Sequence, residues 1–242
     1  MIGVHPERAY GRGFARHVGR AATAVALAAS LGVAGCAKPP PPLDLDERFR
    51  LVGFRDDMGY PRELFKWTDP IRVDTDGATV EQRRLVKEHT LLLGDATGLP
   101  ARIDPVDPNL VVLFGDEEEL QPYLDDWSNG ERLNWPGFFR SECFARVGVR
   151  KGELFAMAFI LQGLPERKTR LCIVQEMTQA LGLFGDIDGR PDTSFASWGG
   201  ADHLTEYDLA LLEILYDSRL QPGMSESVGM PIVRRIIAEQ RE

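Results

Sequence analysis

Hydrophobic and polar positions switch between a helical and a strand period along residues 61–242, and the switches predict the elements. Residues 65–73 read as a strand, with Pro70 pointing to an edge position or a bulge. Residues 79–97 place Val80, Leu85, Leu91 and Leu92 on a helix that Gly98 and Pro100 stop. Residues 109–114 form a short apolar strand after the turn signals at Pro105 and Pro108. Residues 116–126 predict an acidic helix capped by Asp116, whose Glu117, Glu118 and Glu119 suit the positive end of the helix dipole. Two strands, 143–149 and 154–162, meet at the tight turn Arg150-Lys151-Gly152. A helix spans 167–183, and an Asp/Gly-rich loop follows over 185–192. Thr205 and Asp208 form a capping-box variant for the next helix. Pro222-Gly223 ends it, and a last helix includes 232–240. This order predicts an α+β fold: a mixed sheet with an antiparallel edge strand, packed on the 167–183 helix, with helices at the C-terminal end.

The first 35 residues break the pattern. Arg8, Arg12, Arg16 and Arg20 precede the small, apolar run 21–34, which is too short to cross a bilayer comfortably. The run ends Leu31-Gly32-Val33-Ala34-Gly35-Cys36, which resembles a bacterial lipobox. That resemblance implies a signal peptide over 1–35 and lipidation at Cys36, with Val33 in place of the more usual leucine. The other readings are a plain secretory signal or an uncleaved anchor. Ala37 in place of aspartate implies, by resemblance to lipoprotein sorting, an envelope lipoprotein in the outer membrane facing the periplasm. Residues 36–60 are expected to be a tether: Lys38-Pro39-Pro40-Pro41-Pro42 favours stiff polyproline II, and the charged 44–50 stretch is expected to be poorly ordered. Residues 61–242 are then a single domain.

Removal of 1–35 takes away four arginines and one glutamate, which moves the net charge from −9 to −12. So acidic a chain excludes nucleic acid as a partner. The expected partners are the membrane, through Cys36, and an envelope protein or peptide. With Cys36 given to lipid, Cys143 and Cys172 remain, and in an oxidising envelope two leftover cysteines usually pair. Closing that loop contributes roughly 3 to 4 kcal/mol in the chain-entropy model. Two buried free thiols are the bland alternative.

Residues 174–186, V-Q-E-M-T-Q-A-L-G-L-F-G-D, carry the candidate chemistry. The stretch resembles the H-E-x-x-H helix of zincin metalloproteases, in which two imidazoles one turn apart hold zinc and the glutamate activates water. Gln175 and Gln179 stand where the histidines would be, and Glu176 where the base would be. In metzincins a glycine and then a third ligand follow. Gly182 keeps the glycine and Gly185 replaces the ligand. The resemblance implies a zincin-like domain with the motif helix beneath the sheet. Ser194-Phe195-Ala196 lies where a methionine turn would stand, without the methionine. Over 65–224, the Q-E-x-x-Q-x-L-G-L helix and the tail L-Y-D-S-R-L-Q-P-G-M-S also resemble the bacterial envelope family called domain of unknown function 2927, which implies no particular activity.

At 100° per residue, Cys172, Gln175, Glu176, Gln179 and Leu183 share one arc of the helix. Such a polar arc is either a solvated face or the lining of a cleft, and Cys172 and Leu183 favour the cleft. Amide oxygens are weak neutral ligands, so neither a metal nor a cofactor is expected. His89 and His203 lack ligand spacing to Glu176. Asp186, Asp188 and Asp192 are the nearest second carboxylates, and their loop reads as an ordinary turn or, less simply, a calcium loop. The cleft set is therefore Gln175, Gln179 and Asp186 around Glu176. Trp127, Trp135, Phe138, Phe139 and Trp198 either cap the core or form a recognition surface. Ser141, Ser194 and Ser197 lack a G-x-S-x-G setting. The expected function is non-enzymatic: an anchored binding or assembly module on a metal-less protease-like scaffold. The alternative is a hydrolase of peptide or cell-wall material with Glu176 as its catalytic general base.

Overall fold

The computed structural model describes residues 43–127, 141–187, 189–196 and 199–240. Along these run α1 (Leu45–Gly53), β1 (Ile71–Asp76), α2 (Val80–Thr97), β2 (Ala101–Ile103), β3 (Leu110–Gly115), α3 (Glu117–Trp127), β4 (Cys143–Arg150), β5 (Glu153–Leu161), α4 (Glu166–Gln179), α5 (Glu206–Tyr216) and α6 (Glu226–Glu239). The fold is α+β, and its five strands form one mixed sheet in the order β2-β1-β3-β5-β4. The first four are mutually parallel, and β4 lies antiparallel to β5 at the edge. The β4–β5 turn places Lys151 at φ 53° and Gly152 at φ 85°, the two positive values that a two-residue hairpin turn needs.

Two corrections follow for the first strand. It starts at Ile71, not at residue 65, and it lies inside the sheet between β2 and β3. Pro70 stands just before the ladder, where its missing N–H costs nothing, and its carbonyl accepts from Asn109 Nδ2 at 2.9 Å. Strand β2 went unpredicted because its three residues are half-buried to exposed and show no apolar alternation. Helix α2 opens on a full Thr79–Gln82 capping box. Its buried stripe is Leu85, Val86, His89 and Leu93, whereas Val80, Leu91 and Leu92 are exposed.

The largest correction concerns residues 44–50, expected to be poorly ordered. They lie mostly in α1, which buries Phe49 and Val52 completely. The charged residues that suggested disorder have partners. Arg48 is wholly buried, with Nη2 donating to Asp192 at 2.6 Å and its guanidinium 4.1 Å from the Tyr207 ring centre. Arg50 bonds Glu47, one turn away, at 2.5 and 2.8 Å. The domain thus includes much of the stretch first assigned to a tether.

Each sheet face has its own apolar layer. Leu110, Val112, Phe114, Ala156, Ala158 and Ile160 pack with α1, α2, α4, α5 and α6. Leu113, Phe155, Met157 and Phe159 pack with Leu120 and Leu124 of α3. Among the described residues no helix is long and apolar enough to cross a membrane.

Candidate functional site

Helix α4 is anchored at its C-terminal end and, near its middle, through a disulfide. At its C-terminal end the buried Trp67 donates Nε1 to the Ala180 carbonyl at 2.9 Å, and Tyr216 donates its hydroxyl to the Leu181 carbonyl at 3.0 Å. The chain then turns through Gly182 at φ 125°, where a Cβ would lie 2.0 Å from the Phe65 carbonyl oxygen. At Gly185 a Cβ would lie 2.0 Å from the Leu51 carbonyl oxygen, while the Gly185 N–H donates to Val52 O at 3.1 Å. Both motif glycines therefore answer to close backbone approach, one against the segment before β1 and one against α1. Within α4, Cys172 is bonded to Cys143 with Cα atoms 5.8 Å apart, so the start of the edge strand is stapled to the motif helix.

The polar arc of α4 is buried. Gln175 is 8% exposed, Glu176 4% and Gln179 9%, which rules out the solvated face. Gln179 donates Nε2 to Asp186 Oδ1 at 2.9 Å. Gln175 and Glu176 make no side-chain hydrogen bond among the described residues.

Burial pushes the Glu176 carboxyl up to about 8, helped by the negative charges of Asp186 and Asp57 and opposed by Arg146. Glu176 is therefore largely the neutral acid at pH 7. Arg146 stands on β4 and Asp57 on the exposed loop after α1, so the site lies among the edge strand, that loop and α4. Neither residue belongs to a sequence motif. Only the tertiary fold brings them to Glu176.

The remaining candidates separate. Asp192 is held by Arg48, so it is not the second carboxylate of this site. Asp188, Ser197, Trp135, Phe138, Phe139, Trp198 and Cys36 lie outside the described residues. Trp127 stacks on Phe155 with centroids 6.1 Å apart, a core-capping role. His89 is buried on α2 with Nε2 3.0 Å from Thr178 Oγ1, and burial lowers its pKa to about 4. His203 is exposed beside Asp202. The 193–196 turn is wholly buried. Asp208 holds it by accepting from Thr193 Oγ1 at 2.5 Å and from the Ser194 N–H at 2.9 Å.

The zinc that a zincin frame implies does not fit these residues. Two amides and a carboxyl held neutral supply neither the charge nor the imidazole or thiolate donors that zinc sites use. A cavity of about 400 Å³ opens elsewhere, at the carboxyl ends of β1 and β3. Its polar groups are already engaged: Asp76 accepts from Gly77 N–H and the Tyr123 hydroxyl, Gln162 donates to Gly77 O, and Glu119 accepts from Asp116 N–H. Among the described residues, the fully buried side-chain polar atoms without a hydrogen-bond partner are Arg62 Nε and Ser194 Oγ.

A family model described as "Protein of unknown function (DUF2927)" matches residues 43–235. The chain belongs to this family. The DUF2927 match begins just before α1, in keeping with the packing of that helix into the core. It also takes in the disulfide, the motif helix, α5 and most of α6. Searches of curated proteins and of solved structures gave no match.

Proposed function

We propose that this DUF2927 protein is an envelope lipoprotein, anchored through Cys36, whose domain is a binding module on a zincin-like scaffold that has exchanged its metal ligands for carboxamides. The observation that carries this reading is the pair Gln175 and Glu176: nine-tenths buried, beside the antiparallel edge strand, and without hydrogen-bond partners among the described residues. A site of that kind is preorganised for a ligand's polar groups and offers little to a cation. The sheet order, the edge strand stapled to the helix and the buried turn at 193–196 support the zincin-like ancestry. The lipobox-like 31–36 segment supports the anchor.

Metal analysis of the full chain, purified in mild detergent, tests the module. Zinc below a tenth of an equivalent is expected on the chemistry of the donor set. Stoichiometric zinc that disappears in Glu176→Ala would overturn the reading.

A second reading has one observation in its favour. An acid raised to about 8 is near the range in which a general base works, and Asp186 stands close by. On that reading the domain hydrolyses peptide or cell-wall amides. Turnover of peptidoglycan or mixed peptides that Glu176→Gln abolishes would establish it, and turnover indifferent to that change would reject it.

A further inference from the structure

We infer that the cavity at the carboxyl ends of β1 and β3 is a second ligand site, built for a small organic cation: an ammonium group on a short apolar chain. It stands apart from the reading above, because none of its lining residues belongs to the motif helix.

Topology sets the place. Strands β1 and β3 are parallel neighbours inside the sheet. From β1 the chain runs through α2 out to β2, and α2 packs on one face. From β3 it runs through α3 to β4 and β5 on the other side, and α3 packs on the opposite face. Connections that part in this way leave a crevice outside the carboxyl ends of the two strands, and open parallel sheets bind their ligands there. The cavity of about 400 Å³ lies in that crevice, within the roughly 300 to 1,000 Å³ of small-ligand sites. Gly77 fixes one wall. At φ 67° it brings the end of β1 so close to β3 that a Cβ would lie 1.8 Å from the Phe114 carbonyl oxygen.

The lining decides the ligand. Leu113, Phe114 and Leu120 supply an apolar side. Asp76 and Glu119 supply two carboxylates, and among the described residues neither forms an ion pair. The hydrogen bonds they accept come from the Gly77 N–H, the Tyr123 hydroxyl and the Asp116 N–H. These bonds hold the carboxylates in place without exhausting them, since each has about four acceptor positions. The Tyr123 hydroxyl is committed as a donor: its bond to Asp76 pushes its pKa up, so it offers no O–H to an anion. One Gln162 N–H is likewise given to Gly77 O. What stays open is mostly acceptor oxygen and negative charge, which an ammonium group meets with charge-assisted bonds. A bare metal ion fits less well. Hard cations take about six or more oxygens, and among the described residues no three His, Cys, Asp or Glu side chains gather to hold one. An anion would meet two like charges.

The full chain in mild detergent is titrated calorimetrically at low ionic strength with butylammonium chloride, and heats into protein-free micelles are subtracted. Butanol, sodium butanoate and calcium chloride are the neutral, anionic and bare-cation matches. Butylammonium is expected to bind with a Kd of about 1 mM or tighter, and each match to bind more weakly by about tenfold or more. Asp76→Asn and Glu119→Gln are each expected to weaken butylammonium binding about tenfold. Both keep an oxygen for the backbone N–H they serve, so their thermal midpoints stay within a few degrees of the natural protein's. Glu118→Gln, one position along α3 and outside the cavity lining, is expected to bind as the natural protein does. No binding of butylammonium, or equal binding of butanol or butanoate, overturns the inference. An equal loss in Glu118→Gln also overturns it, by showing a diffuse acidic surface in place of a site. Calcium binding tighter than the amine overturns the organic-cation assignment.

Discussion

Burial of Glu176 makes its protonation state part of the folding equilibrium. The ordinary glutamate value is 4.5 and the folded value about 8, so the native state holds a proton that the unfolded chain releases between those limits. The native state binds more protons across that window, and stability falls as pH rises through it. Glu176→Gln removes the dependence. It is expected to raise stability by up to about 3 kcal/mol at pH 7, with little change at pH 4, as read by urea unfolding across a pH series. His89 has the opposite sign. Its folded value of about 4 lies below the ordinary 6.5, so the stability of its neutral form is present above 6.5 and is lost as pH falls toward 4. His89→Gln is expected to flatten the acid limb alone. The sequence pointed to Glu176 through its frame but gave no protonation state, because that state depends first on burial by the tertiary fold and then on Asp186, Asp57 and Arg146, which lie outside the motif helix.

Helix α4 is joined to strand β4 by one covalent bond, and the chain just after α4 is held against Phe65 and Leu51 by close backbone contacts at the motif glycines. Reducing Cys143–Cys172, or replacing both with serine, is expected to cost about 3 kcal/mol and to speed amide exchange in β4 before the rest of the sheet. Native-state exchange would check it, and uniform protection after reduction would refute it. Gly182→Ala faces two obstacles, a φ of 125° and a carbonyl oxygen 2.0 Å from the new Cβ. It is expected to cost more than about 3 kcal/mol. Gly98→Ala, at φ 70° with nothing within 4 Å, is expected to cost only about 1 kcal/mol, as thermal unfolding of the pair would show. Periodicity exposed most helices and strands because each shows the sheet or core a repeating face. It missed β2, whose three residues have no such face, and it misplaced the start of β1, because the apolar Phe65 and Trp67 pack as irregular chain.

At the scale of the molecule, an acidic domain is expected to stand off a membrane on a proline-rich spacer. Cys36→Ser is expected to move the protein from the membrane pellet to the soluble fraction without changing the domain's thermal midpoint. An unchanged distribution would remove the lipid anchor from the reading. The sequence by itself determined what depends on neighbours along the chain: the order and type of most elements, the cap at Thr205, the hairpin turn and the absence of imidazole from Q-E-x-x-Q. Only the tertiary structure decided which faces are covered. It showed that α1 belongs to the core, because Arg48 finds Asp192 far along the chain. It also buried a polar arc that local periodicity leaves open to solvent or cleft. The physical reason is that burial and protonation are sums over contacts from distant segments, whereas propensity and capping are settled within a turn or two.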